Sequence, residues 1–350
     1  SLDLSRTAIK DLTPLAKRNA LQTRDLSMTA VKDLTPLAKL PLAKLFVHRC
    51  REVSDLSPLE QMPTLEELDV GLTAIADLTP LRGTSLKKLT LLGGISIADF
   101  SPLAQLSALE ELNINFSAIA DLTPLRGLPL RKLYLARCRK IADFTPLAEL
   151  RALEDLSLFD TAIADLTSLL TLPLRDLNLS WCDKITDFAP LAKIKSLKIL
   201  ALNADAIADL APLRALPLQD LDLSDCKHVA DFSALAAIRT LQRLNLTATA
   251  IADLAPLHGL PLTILNLHGC PKIADLSPLT GTRLGSLDLG DCQGVTDLTP
   301  LRGMPLWHLN LGGCAKITDL APLKGMKTLG MLTVGDTTYH GASLKEIVGE

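Results

Sequence analysis

Arg131-Lys132-Leu133-Tyr134-Leu135-Ala136-Arg137-Cys138-Arg139-Lys140-Ile141-Ala142-Asp143-Phe144-Thr145-Pro146-Leu147 holds the strand and turn of one repeat of a pattern that fills the chain. Leu133 and Leu135 alternate with outward-facing neighbours, which is the period of a short strand with one buried face. Asp143 marks the turn, where its carboxylate can accept backbone N–H groups. Thr145 reads as a helix N-cap, and Pro146 suits the first helical position. Aligning the chain on Ile/Val-x-Asp-Leu/Phe gives an Asp at 11, 33, 55 and onward to 319, every interval being 22 residues. Ser or Thr follows two residues later in 11 of these 15 turns and Pro one further in 13, so the motif is a building rule. Fifteen repeats without drift require each coil to lie in register with the next. The stacked strands then form a parallel sheet, and the opposite side is made of single 3₁₀ or brief α turns.

A finer rule sits inside the period. Coils with a shortened Leu-Pro-Leu step, as at Leu128-Pro129-Leu130, carry one extra residue in the following turn; coils with the full step, Leu150 to Leu153, have the shorter turn. The two types alternate as a double repeat of 44 residues, marked by Phe100, Phe144, Phe188 and Phe232. From Asp275 to Asp319 three long-turn coils run consecutively. Residues 1–334 therefore read as one solenoid and 335–350 as a C-terminal cap, in which Ser343 and Glu346 have capping-box spacing and Leu344 and Ile347 can cover the last coil. Ser1 to Leu4 begins inside a strand, so the sequence reads as starting part-way through a stack. Arg24 stands where other coils place the first inward Leu, a sign of weaker order near the start.

The whole chain resembles leucine-rich repeat proteins, and Ile317-Thr318-Asp319-Leu320-Ala321-Pro322-Leu323 is similar to the 22-residue bacterial, internalin-like class. It departs from that pattern where the corner Asn is replaced by Thr, as at Thr73 and Thr161, or by Cys. The resemblance implies an α/β repeat solenoid: a right-handed leucine-rich repeat arc with a concave parallel β-sheet and short 3₁₀/α turns on the convex side. It also implies an interaction scaffold, and it names no ligand.

Composition narrows the function. With 48% hydrophobic and 21% charged residues the chain buries a large core, and 36 Lys+Arg against 39 Asp+Glu leave a net charge of −3, no field for a nucleic acid or an anionic membrane. All seven cysteines, from Cys50 to Cys314, share one position three residues before the turn Ile or Val, which reads as a corner of buried free thiols. Cys270, Cys292 and Cys314 fall on consecutive coils, but ligands in a line do not make a tetrahedral metal site. The six histidines are scattered, and no phosphate-loop, zinc-protease or nucleophile-elbow motif occurs. The expectation is therefore a non-catalytic scaffold that needs no cofactor or metal.

Function in a solenoid comes from side chains that break the repeat. The outward positions of four successive coils give Phe116, Tyr134, Phe159 and Trp181, with Arg137 and Asp160 beside them, and aromatics with Arg are the residue types that dominate protein interfaces. These six are the expected contact residues for a protein or peptide on the concave face. Charge on that face reads as polarised, Lys44, Arg49, Lys88, Lys132 and Arg137 standing toward the start and Asp176, Asp220, Asp222, Asp225, Asp288 and Asp291 toward the end. A series of Asn from Asn113 to Asn310 reads as further hydrogen-bonding capacity for a ligand. The sequence thus points to the recognition part of a larger bacterial-type intracellular, cytoplasmic protein. A surface or secreted internalin-like adhesion module, and the substrate-recognition part of an enzyme whose catalytic domain lies upstream, are the alternatives.

Overall fold

The computed structural model describes residues 1–17, 22–204 and 206–349, and the chain forms two compact units, Ser1–Leu174 and Arg175–Glu350. In the first, β1 (Leu2–Asp3), β2 (Thr23–Asp25), β3 (Lys44–Phe46), β4 (Glu67–Asp69), β5 (Lys88–Thr90), β6 (Glu111–Asn113), β7 (Lys132–Tyr134) and β8 (Asp155–Ser157) pair in parallel in that order. The central residues register Leu45, Leu68, Leu89, Leu112, Leu133 and Leu156 as one buried column. Arg24 takes the Leu site in the second coil and is fully buried there between Leu2 and Leu45, and burial lowers its pKa.

The second unit repeats the arrangement from β9 (Asp176–Asn178) and β10 (Ile199–Ala201) through β11 (Asp220–Asp222), β12 (Arg243–Asn245), β13 (Ile264–Asn266), β14 (Ser286–Asp288) and β15 (His308–Leu311) to β16 (Met331–Val334). Then β17 (Thr337–His340) pairs antiparallel with β16, and α1 (Gly341–Val348) follows. Ser343 is not the cap of that helix. The helix starts earlier, at Gly341, so Ser343 lies in its first turn and its hydroxyl donates to the His340 carbonyl at 2.9 Å. Leu344 is buried.

The double repeat is visible in the register. Partner leucines are 21 residues apart from Leu112 to Leu133 and 23 from Leu133 to Leu156, whereas the long-turn coils run at 22, from Leu265 to Leu287 to Leu309. The difference is made on the far side of each coil. Full-step coils between Ser57 and Ala237 have five-residue 3₁₀ turns, as at Thr145–Glu149, and Leu-Pro-Leu coils three-residue ones, as at Thr123–Leu125. Stacking one long turn on another has a local requirement: a Cβ built at Gly294 would overlap the Ile273 carbonyl oxygen and lie 3.2 Å from that of Pro271. Because those atoms are backbone, Gly294→Ala is expected to destabilise the protein by about 2 kcal/mol, measured as a shift of the urea midpoint at unchanged slope.

The turn Asp, rather than Ser or Thr, caps each 3₁₀ segment. Thr145 is itself the first 3₁₀ residue, so its hydroxyl does not stand before the free N–H groups; Asp143 Oδ1 accepts the Thr145 N–H at 2.8 Å. The same bond recurs in all fifteen turns, from Asp11 to Asp319. In several turns the Ser or Thr hydroxyl returns a second bond to the same carboxylate, as Thr167 does to Asp165 at 2.8 Å. These hydroxyl and N–H donors hold Asp11, Asp33, Asp77, Asp99, Asp121, Asp143, Asp165, Asp231, Asp275 and Asp297 below the ordinary 3.8. A carboxylate with a depressed folded-state pKa stabilises the fold above its unfolded pKa, and that contribution is lost as pH falls through the folded value. Stability is therefore expected to fall below about pH 4 with several protons taken up on unfolding, as read from urea midpoints across that range. Asp143→Asn together with Asp165→Asn should flatten the dependence, and an unchanged slope would contradict the assignment.

Candidate interaction surface

Each strand leads to its corner through a residue in the left-handed backbone region. Glycine supplies it at Gly93, Gly269, Gly313 and Gly335, but Phe116, Arg137, Asp160, Trp181, Asp225, Asp291 and six other non-glycine residues occupy it elsewhere, with φ between 53° and 62°. The turned corner lets its N–H reach the next coil: Phe116 donates to the Ala136 carbonyl and Arg137 to that of Phe159, each at 2.8 Å. Left-handed backbone costs a non-glycine residue about 1 kcal/mol. Side chains there are left outside the core, and Met28, Phe116 and Trp181 are three of the six exposed large apolar residues.

Behind the corner the seven cysteines are buried and none is in a disulfide. Cys138 Sγ donates to the Ile114 carbonyl of the preceding coil at 3.1 Å, and Cys50, Cys226, Cys270, Cys292 and Cys314 make the equivalent bond at 2.9 to 3.1 Å. In the Thr coils the hydroxyl bonds within its own coil, as Thr161 does to Leu158 at 2.9 Å. Burial pushes the Cys292 thiol up to about 12, which leaves little thiolate at neutral pH.

Within the first unit, the expected contact residues occupy three different coil positions rather than one row. Phe116, Arg137 and Asp160 stand at the corner, Phe159 one residue before it, and Tyr134 inside β7. Arg137 lies between two rings, its Cζ 5.5 Å from the Phe116 centroid and 6.0 Å from that of Phe159. Its Nε is 3.2 Å from Asp160 Oδ2, and Asp160 also receives Arg139 Nε at 3.0 Å. The result is a cation beside two aromatic rings and within ion-pair distance of a carboxylate. Tyr134 donates its hydroxyl to Asp155 at 2.7 Å. Trp181 belongs to the second unit, where it is 54% exposed and borders a cavity of about 430 Å³ with Asp183, Asp225, Lys227 and His228.

Two expectations about this face are corrected. The Asn series is committed to the fold: Asn113 Oδ1 accepts the Asn115 N–H at 3.1 Å, Asn178 that of Ser180 at 2.9 Å and Asn266 that of His268 at 2.9 Å, with Asp69, Asp222 and Asp288 doing the same. It forms a second capping column at the end of the strands. The charge gradient is largely cancelled, because acids interleave with the lysines. Lys44 pairs with Glu67 at 2.6 Å and Lys88 with Glu111 at 3.4 Å, and in the second unit Arg243 pairs with Asp220 at 2.7 Å. Trp307, 53% exposed just before β15, was not among the expected contact residues; its signal was its rarity, as one of two tryptophans.

The comparisons agree with this architecture. A family model described as Leucine Rich repeat matches residues 173–187. No curated protein sequence matches the chain. Among solved structures, an internalin, InlF, of Listeria monocytogenes is similar at 27% identity and a TM-score of 0.72, over 84% of this chain and 87% of that one. A leucine-rich repeat protein of Leptospira interrogans is similar at 18% identity and a TM-score of 0.59, over 100% and 94%. The functional domain of InlJ from Listeria monocytogenes, described as including a cysteine ladder, is similar at 19% and 0.54, over 90% and 70%. The coils are those of a leucine-rich repeat solenoid, and the fold is similar to that of an internalin. Among the described residues no helix is long and apolar enough to cross a membrane.

Proposed function

We propose that this chain is a non-catalytic scaffold that binds a protein or peptide on its sheet face. The observation that carries this reading is the Phe116–Arg137–Phe159 cluster with Asp160: an aromatic and guanidinium surface in which Phe116, Arg137 and Asp160 stand at left-handed corners. Residues of this kind do little for the core, and interfaces draw their largest contributions from them. Tyr134 extends the surface in the first unit, and Trp181 offers a contact on the second. The scaffold is the recognition part of a larger bacterial-type intracellular protein; seven cysteines outside any disulfide support a reducing, cytoplasmic setting. Residues 335–350 act as the cap, since antiparallel β17 covers the edge of β16 that another parallel coil would use.

The test is a protein ligand selected from a display library on the intact chain, its affinity then compared across Phe116→Ala, Arg137→Ala and Phe159→Ala. Arg126→Glu and Arg214→Glu, beside the 3₁₀ turns, serve as controls. Loss confined to the first group supports the reading, and loss confined to the controls overturns it.

A further inference from the structure

The indole of Trp307 lies over the bare Cα of Gly285 in the preceding coil, where a built Cβ would be 3.0 Å from both Cδ1 and Nε1. Its ring adjoins that of His308, the centroids 5.5 Å apart. The row beside Trp307 runs from the exposed Ile264 through Ser286 and His308, which are hydrogen-bonded at 3.0 Å, to Met331. A large exposed indole resting on a glycine floor has one face packed and the other free.

Two residues further along the same face the surface is acidic. Asp288 accepts the Gly290 N–H at 2.8 Å and Asn310 Nδ2 at 2.9 Å, and Asp291 is 56% exposed at the corner. His268 approaches them at 3.6 and 3.4 Å, and among the described residues no Lys or Arg lies within 4.0 Å of either carboxylate. Apolar area beside carboxylates lacking a lysine or arginine partner is complementary to a side chain pair of one apolar and one cationic group.

We propose that this part of the second unit docks a partner segment in which an apolar side chain, seated on Trp307, is flanked by lysine or arginine directed at Asp288 and Asp291. Three strand residues, about 10 Å, separate the two features, a span that an extended segment covers with side chains two or four residues apart, which share one of its faces. This surface is independent of the Arg137 cluster, and its test touches none of that cluster's residues.

The test uses the intact chain labelled with ¹⁵N at tryptophan, which gives one indole signal for Trp307 and one for Trp181 as the internal reference, assigned with Trp307→Phe. The probes are a short capped peptide repeating leucine, serine, lysine, serine, which places leucine and lysine on one face of an extended segment, and its counterpart with glutamate for every lysine. The lysine peptide is expected to shift the Trp307 signal saturably and leave Trp181 in place, with affinity about fivefold or more weaker in the Asp288→Asn, Asp291→Asn double variant. Equal shifts by both peptides, no shift by either, or undiminished affinity in the double variant would each overturn the proposal. So would a Trp307 shift that follows protein concentration alone, which would assign the face to a second copy of the chain.

Discussion

Leu156→Ala is expected to lower the unfolding free energy by about 3 kcal/mol. Leu156 is fully buried and registers directly with Leu133, so its side chain fills the space between two coils. Removing it forfeits the transfer free energy of the deleted methyl groups and leaves a cavity. Collapse of that cavity is opposed from above and below, because each coil is fixed by its strand pairing on one face and its Asp-capped 3₁₀ turn on the other. In a stack stabilised by nearest-neighbour contacts the loss is concentrated locally, so amide exchange should speed most in β7 and β8. The urea midpoint gives the total and exchange gives its distribution. A loss below about 1 kcal/mol, or one spread evenly over both units, would mean that the Leu column relaxes and does not hold the coils rigidly.

The same column shows why so much of the fold was legible. A strand with one buried face writes Leu133 and Leu135 at alternate positions, and a turn that needs a carboxylate writes Asp at every 22nd. Both are demands on residue type, and repetition averages out exceptions such as Arg24. The corner made no such demand. Gly93, Gly269 and Gly313 announce a left-handed position, but Phe116, Arg137 and Trp181 occupy it in other coils at a cost in strain, and in one sequence they look like strand residues. Partners across coils were hidden for a different reason. Lys44 and Glu67 are 23 residues apart and Arg137 and Asp160 likewise, so pairing appears only when the alternating register is applied, and a sum over lysines alone reads as a gradient. The Asn column was misread because the same amide serves a ligand or its own backbone, and only geometry decides.

Arg137→Ala is expected to weaken a selected ligand by about 2 kcal/mol, roughly thirtyfold in Kd, with little change in the urea midpoint. Stability should be nearly indifferent: Arg137 is half exposed, its ion pair with Asp160 is a surface pair worth well under 1 kcal/mol, and Asp160 keeps Arg139. Binding should not be indifferent. A guanidinium already fixed between the Phe116 and Phe159 rings loses little rotamer freedom when a partner covers it, and covering excludes the water that weakens its contacts in the free protein. Phe116→Ala should cost a comparable amount, since it removes both apolar area and one ring of the cluster. The double variant should then lose less than the sum of the two, because neither residue is preorganised without the other. Arg137→Lys separates charge from shape: a lysine keeps the charge without the planar group that stacks on both rings, so it should recover only a minor part of the loss. Full recovery by lysine would show that the cluster contributes only its charge, and strictly additive losses would show that the rings do not hold Arg137 in place for the partner.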